Sequence, residues 1–200
     1  RPVLYYSLKA FEDSAVDEIV LVVGKGEEKF CRKEIVDKYG ISKVKAIVEG
    51  GKERYHSVFE GLKQTSDADY VLIHDGARPF VNQDIIRRCM QEVQKYQACV
   101  VGMPVKDTIK IADEEGYAKQ TPDRKNVWMI QTPQTFSYAL IYEAYEEMLK
   151  TEDTAITDDA MVLERIKGKK SKLIEGSYRN IKITTPEDLL IANVYLQHPE

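Results

Sequence analysis

The chain has 200 residues, 43% of them hydrophobic, and its 29 Lys and Arg stand against 33 Asp and Glu, a formal charge of −4. At about 100 to 200 residues per domain this predicts one domain over residues 1–200, able to bury a sizeable core without disulfide or metal staples. The acidic balance argues against non-specific nucleic-acid binding, which wants a basic face. Cys31, Cys89 and Cys99 have no CxxC spacing and fit a reducing cytoplasm better than a disulfide framework. Neither a membrane-spanning apolar run nor a signal pattern at the start is expected.

In chain order, β-branched apolar runs alternate with stretches of helical period, which is α/β organisation. Strands are expected over Glu18–Gly24, Lys43–Glu49, Tyr70–His74, Ala98–Val105 and Asn180–Thr184. Several are apolar on consecutive positions, as strands covered on both faces must be. Tyr55, Val58, Phe59 and Leu62 recur at helical spacing, and so do Tyr138, Ile141, Tyr142 and Tyr145. A further helix over about Gln83–Tyr96 buries Ile86, Cys89, Met90 and Val93. A last one opens at Thr185, a capping threonine followed by Pro186 and the acids Glu187 and Asp188. From Lys106 to about Trp128, within an insertion of about residues 106–130, short apolar alternation flanks a turn at Glu114–Gly116 and predicts a projecting β-hairpin arm. Because an isolated ribbon is marginal in water, the arm is expected to pack on something, a second copy of the chain being the obvious candidate.

Three motifs point to chemistry. In VLIHDGARP, Val71–Pro79, a strand leads into His74, Asp75, Gly76 and Arg78. Ligands of open α/β sheets sit at the carboxyl ends of strands, where Asp75 could hold a hard divalent cation; equally, it could cap a turn while Arg78 pairs with a surface acid. In GGKERYHSV, the pair Gly50 and Gly51 precedes a helix whose first turn carries Ser57. Unpaired N–H groups, the helix dipole and a hydroxyl there suit a nucleotide, although such glycines more often only make a turn. In NIKITTPEDL, Lys182 alternates against Ile181 and Ile183 and faces either solvent or the ligand cleft.

Polar clusters at Pro104–Thr108, Thr121–Arg124 and Gln131–Phe136 add groups around the arm, among them Arg124, which could grip a phosphate with both guanidinium edges, or serve turns. Thr157, Asp158 and Asp159 in AITDDA are read as a threonine N-cap with two acids in the first turn rather than a metal pair. His56, His74 and His198 show no ligand spacing, and no nucleophile–base arrangement stands out.

Taken in order, GGKERYHSV, VLIHDGARP, PVKDT, TPDR, QTPQTF, AITDDA and NIKITTPEDL resemble the 2-C-methyl-D-erythritol 4-phosphate cytidylyltransferase family of the non-mevalonate isoprenoid pathway. The resemblance implies a Rossmann-like fold of the nucleotide-diphospho-sugar-transferase type, a mixed sheet flanked by helices with the projecting β-arm. It also implies a homodimer through the arm and a Mg²⁺-dependent reaction of CTP with methylerythritol phosphate. By that resemblance Asp75 is the magnesium ligand, Gly50, Gly51 and Ser57 belong to the cytidine loop, and Lys182 stabilises charge at the α-phosphate. Arg78, Thr108, Arg124 and Thr132 match positions that bind the sugar phosphate. A phosphate whose second pKa is about 6 attacks without a general base, so the work falls to Mg²⁺, lysine and arginine.

The family's glycine-rich loop with its arginine, and a further lysine, come before the segment that here begins RPVLYYSLKAF. A molecule beginning at Arg1 is therefore expected to lack a sheet strand, leaving an unpaired edge, and to turn over poorly. Two other readings compete: ribitol-5-phosphate cytidylyltransferase, and a non-catalytic binding module of the same fold.

Overall fold

The computed structural model describes residues 1–151 and 156–198; Ala155, which opens the AITDDA motif, lies outside them. Helix α1 (Val3–Glu12) leads into strand β1 (Ile19–Val23), then helix α2 (Glu28–Cys31), which runs into a wider turn over Arg32–Asp37. Next come β2 (Val44–Glu49), α3 (Arg54–Leu62), β3 (Tyr70–Ile73), α4 (Gln83–Tyr96) and β4 (Ala98–Pro104). The arm holds β5 (Ile111–Ala112) and β6 (Ala118–Gln120) and is followed by β7 (Trp128–Ser137), α5 (Tyr138–Met148), α6 (Asp159–Lys167), β8 (Lys172–Glu175) and α7 (Pro186–Gln197).

The main sheet has the order β3-β7-β4-β8, with β7 antiparallel to both neighbours and β8 parallel to β4. Strands β1 and β2 form a separate parallel pair, so among the described residues β1 pairs with β2 alone and β3 with β7 alone. Alternate side chains of β4 enter opposite cores, as the two-residue period of a strand requires. Ala98 and Val100 join Phe136, Ile141, Tyr145 and Leu163 under α5 and α6. Cys99 and Val101 join Ile85, Ile86 and Val93 under α4. A third cluster packs Leu8, Ile35, Val36 and Ile41 around Leu21 of β1. The mixed, two-face-covered sheet is the expected α/β architecture.

Local chemistry sets the helix ends that bound the site. The Asn82 side chain accepts from the Ile85 N–H at 3.0 Å to start α4. At the start of α7, the Asp188 carboxylate accepts from the backbone N–H groups of Thr184 and Thr185, both at 2.9 Å, behind the N1 proline.

Four expectations are corrected. Asn180–Thr184 is not a strand; β8 occupies the position beside β4, and the segment meets the loop after β3, bonded there through Ile183 N–H to the Ala77 carbonyl at 2.9 Å. The QTPQTF cluster belongs to β7 inside the main sheet rather than to the surroundings of the arm, with Gln134, Thr135 and Phe136 fully buried. The Gln134 amide finds its partners through tertiary contacts: Oε1 accepts from the Ala160 N–H at 2.9 Å and Nε2 donates to Asp158 Oδ2 at 3.2 Å. The arm is shorter than residues 106–130, because Trp128, Met129 and Ile130 already pair with β4. Its hairpin is real and exposed, closed by Asp113 N–H to the Tyr117 carbonyl at 2.9 Å, with Gly116 at a φ of 87°. Finally, the cap of α6 is Asp158, not Thr157: its carboxylate accepts from the Met161 N–H at 2.8 Å.

Candidate functional site

At the carboxyl end of β3 the chain turns through His74 and Asp75, and the turn closes when Arg78 N–H donates to the Asp75 carbonyl at 2.9 Å. His74 goes inward. Its ring lies against Phe11, centroids 5.0 Å apart, with Nε2 3.1 Å from the Arg78 carbonyl and Nδ1 3.0 Å from Thr132 Oγ1. A carbonyl can only accept, which assigns the proton to Nε2; Nδ1 then accepts from the threonine hydroxyl. Burial holds the imidazole neutral, its pKa pushed down to about 4. Thr132 Oγ1 also accepts from the Asp75 N–H at 3.1 Å. Thr132 of β7 thus supports the Asp75 turn from beneath, far from the arm with which sequence order grouped it.

Asp75 goes outward and meets three cations. Lys182 Nζ is 3.1 Å from Oδ2, Arg78 Nε is 3.5 Å from Oδ2, and Arg54 Nε is 3.8 Å from Oδ1. Burial alone would raise the Asp75 carboxyl, but the Lys182 hydrogen bond and charge, with Arg54 and Arg78 behind them, outweigh it and hold the pKa below the ordinary aspartate value. The carboxylate is ionised at neutral pH, and the local charge is net positive.

Each cation is fixed by a different part of the chain. Arg78 donates through Nη1 to the Asn180 carbonyl at 2.8 Å. Asn180, fully buried, donates from Nδ2 to the Thr132 carbonyl at 2.9 Å and to Gln131 Oε1 at 3.3 Å. Lys182 lies two residues beyond that anchor, in the stretch that the α7 cap holds at its far end. Arg54 opens α3 and forms a two-pronged pair with Asp159, Nη1 to Oδ1 at 2.9 Å and Nη2 to Oδ2 at 2.7 Å. Asp159 is fully buried and accepts a third bond, from the Tyr145 hydroxyl at 2.5 Å. Burial would lower the Arg54 pKa; the hydrogen bond and charge of Asp159, with Asp75, raise it instead. Burial first and then the Asp159 charge raise the Tyr145 phenol well above 10, keeping it a donor.

The glycine turn lies just before Arg54. A Cβ on Gly50 would come within 2.6 Å of Ser57 Oγ, and one on Gly51 would run into the Cβ of His56, so only glycines let the chain pass this close to the α3 start. The Ser57 hydroxyl accepts from the Gly51 N–H at 3.1 Å, so two groups that the sequence offers to a nucleotide hold each other.

The structure therefore brings together Asp75, Lys182, Arg78 and Thr132, with Arg54 beside Asp75; Gly50, Gly51 and Ser57 lie on either side of Arg54 in the chain. It does not bring in Thr108 or Arg124. Both are exposed at the arm, where Arg124 donates through Nη1 to the Lys106 carbonyl at 2.8 Å. Sequence reasoning missed the roles of Arg54, Tyr145 and Asn180, and it took Asp159 for an acid of the first helical turn. The available signal was weak: Arg54 lies inside GGKERYHSV and Asp159 inside AITDDA, but they are 105 residues apart.

The donor set decides what kind of metal could bind. Among the described residues, no group of three or more His, Cys, Asp or Glu is clustered to hold a metal ion. A single ionised carboxylate beside cations that attract phosphate does fit Mg²⁺, which commonly takes one or two carboxylates and completes its shell with phosphate oxygens and water.

A mixed α/β sheet with a carboxylate and converging cations at a strand end defines a nucleotidyltransferase-type α/β protein. More particularly, the chain belongs to the 2-C-methyl-D-erythritol 4-phosphate cytidylyltransferase family. The family model described as "IspD: 2-C-methyl-D-erythritol 4-phosphate cytidylyltransferase" matches residues 1–198. A protein of that name from Lachnospira eligens is 53% identical over 199 residues, covering 98% of this chain and 87% of the relative. One from Lachnoclostridium phytofermentans is 49% identical, covering 98% and 84%. The solved 4-diphosphocytidyl-2C-methyl-D-erythritol synthase of Anaerococcus prevotii superposes with a TM-score of 0.90 at 39% identity, covering 99% of this chain and 87% of that one. The 2-C-methyl-D-erythritol 4-phosphate cytidylyltransferase of Thermus thermophilus gives 0.82 at 32% identity, covering 98% and 90%.

Proposed function

We propose that this protein transfers a cytidylyl group from CTP to 2-C-methyl-D-erythritol 4-phosphate, giving 4-diphosphocytidyl-2-C-methyl-D-erythritol and pyrophosphate in isoprenoid biosynthesis. The observation that carries the reading is the convergence of Lys182, Arg78 and Arg54 on the ionised Asp75 at a strand end, in a chain of this family. Such a site suits two polyanions that repel each other and must meet in line.

In the reaction an oxygen of the sugar phosphate forms a bond to the α-phosphorus of CTP while the bond from that phosphorus to the bridging oxygen of the β-phosphate breaks. Pyrophosphate leaves with the electron pair. The nucleophile is already largely dianionic at neutral pH and needs no general base; His74, the imidazole next to Asp75, is neutral and spends both nitrogens on the fold. Lys182 neutralises charge at the α-phosphate, and Arg78 attracts the sugar phosphate. Gly50, Gly51 and Ser57 shape the cytidine side. Asp75 would hold Mg²⁺, which when bound neutralises phosphate charge and orients the leaving group.

Thr108 and Arg124, which lie away from this chain's own site, would complete the sugar-phosphate site of a partner subunit from the arm, and Thr132 contributes through the Asp75 turn it supports. The exposure of the arm, with Tyr117 70% accessible at its tip, supports a homodimer in which the arm packs on a partner subunit. Three buried free cysteines support a reducing cytoplasmic setting. No helix among the described residues is long and apolar enough to cross a membrane.

The test is pyrophosphate release from CTP and Mg²⁺ with methylerythritol phosphate or ribitol 5-phosphate as acceptor. Release that is faster with methylerythritol phosphate is expected. Faster release with ribitol 5-phosphate, or none with either, would overturn the assignment.

A further inference from the structure

The Arg54–Asp159 pair is built unlike a surface salt bridge. Its carboxylate is fully buried and accepts three hydrogen bonds, one from the Tyr145 hydroxyl and two from the guanidinium. Tyr145 is itself fully buried in the core formed by α5, α6 and the main sheet. A desolvated carboxylate is costly unless it is fully bonded, and here the bonding is directed outward, to an arginine whose remaining edge faces the site. With both terminal nitrogens engaged on Asp159, Nε is the atom nearest Asp75, at 3.8 Å. Arg54 also follows the Gly50–Gly51 turn by three residues. One guanidinium therefore links the Asp75 carboxylate to the interior of the molecule.

We infer that Asp159, seated by the Tyr145 hydroxyl, is a positioning residue of the site: it fixes the Arg54 guanidinium with its Nε edge toward Asp75, so that a third cation stands beside Lys182 and Arg78 where a polyphosphate binds. This rests on the nucleotidyl-transfer reading for its consequence, though not for its geometry. Arg54 is the better choice than lysine for this place. A planar fork can grip Asp159 on one edge and still present a donor toward Asp75, whereas an ammonium is a single point of charge.

The experiment is a double-mutant cycle on the protein with Asp159→Asn, Arg54→Ala and the pair, joined by Tyr145→Phe and Arg54→Lys. Each is assayed for kcat and KM with CTP and methylerythritol phosphate, and for the ¹⁵N-resolved Arg54 Nε–H signal without substrates. Asp159→Asn is expected to lower kcat/KM for CTP by about tenfold or more, chiefly through KM, and to have almost no further effect once Arg54 is alanine. Tyr145→Phe keeps the core volume and should show a smaller loss of the same kind. Arg54→Lys should not restore activity.

In the unsubstituted protein the Nε–H signal should exchange slowly with water, and in Asp159→Asn it should be lost to fast exchange. Additive losses in the cycle, or an Nε–H signal unchanged by Asp159→Asn, would overturn the inference. Should Asp159→Asn fail to fold, Tyr145→Phe combined with Arg54→Lys gives the same cycle with the carboxylate left in place. Absence of turnover in the unsubstituted protein would count against the reaction alone, since the exchange measurement still decides the positioning role.

Discussion

Lys182 Nζ stands 3.1 Å from Asp75 Oδ2, joining the loop after β3 to the segment before α7. The Asp75 side chain is 17% exposed and that of Lys182 43% exposed, so the pair sits at the rim of the site with the carboxylate on the inner side. A lysine this exposed gives little stability through its ion pair. Its place in the structure is better explained by what the pair can bind than by what it holds together.

Asp75→Asn and Lys182→Met should therefore lower turnover by orders of magnitude, at least about a hundredfold, while changing the thermal midpoint by only a few degrees. Steady-state pyrophosphate release alongside circular-dichroism melting checks both. Near-normal turnover in either variant would remove that residue from the reaction.

Arg124 presents its charge at the exposed base of the arm, where it donates to the Lys106 carbonyl. Arg124→Ala should raise KM for methylerythritol phosphate about tenfold or more and leave KM for CTP nearly unchanged. Light scattering at micromolar concentration should give twice the mass of one chain, and a monomeric mass would separate the arm from any role in a partner's site.

Asp158 caps α6 through the Met161 N–H and also accepts from Gln134 Nε2 at 3.2 Å, inside the sheet. Asp158→Ala loses an N-cap worth about 1 kcal/mol and leaves a buried amide donor unpaired, which costs about 1–3 kcal/mol more. Urea denaturation should show a loss of about 2–4 kcal/mol, the sum of those two costs. An unchanged midpoint would mean that another acceptor takes over both bonds.

Cys89 and Cys99 are fully buried, and burial pushes their thiols up to about 11 and about 12. Because the thiolate is the reactive species, neither should react with a disulfide reagent at pH 8 in the native protein. All three thiols should appear once it is unfolded. Rapid labelling of Cys89 or Cys99 in native buffer would show that the α4–β4 interface opens readily.

Apolar runs located β1 to β4 and helical periodicity located α3, α4 and α5, because the spacing of the apolar side chains that each element buries is local information. The capping of α7 by Thr185 and Asp188 was equally legible, since cap and helix are neighbours in the chain. The motifs also singled out Asp75, Arg78 and Lys182 one by one. That Asp75 and Lys182 face one pocket was expected only through the family resemblance, and they do approach to 3.1 Å; the burial of Gln134 and Thr135 in β7 was not legible, because their polar side chains read as turn residues. Asn180–Thr184 has the composition of a strand, but its backbone is bonded to the loop after β3 rather than to a sheet edge, a tertiary contact that composition does not encode. Arg54 and Asp159 carry no mark of each other in the sequence. A buried ion pair is set by which surfaces close over it, so only the packing of α3 against α5 and α6 decided that this arginine would be held beside Asp75.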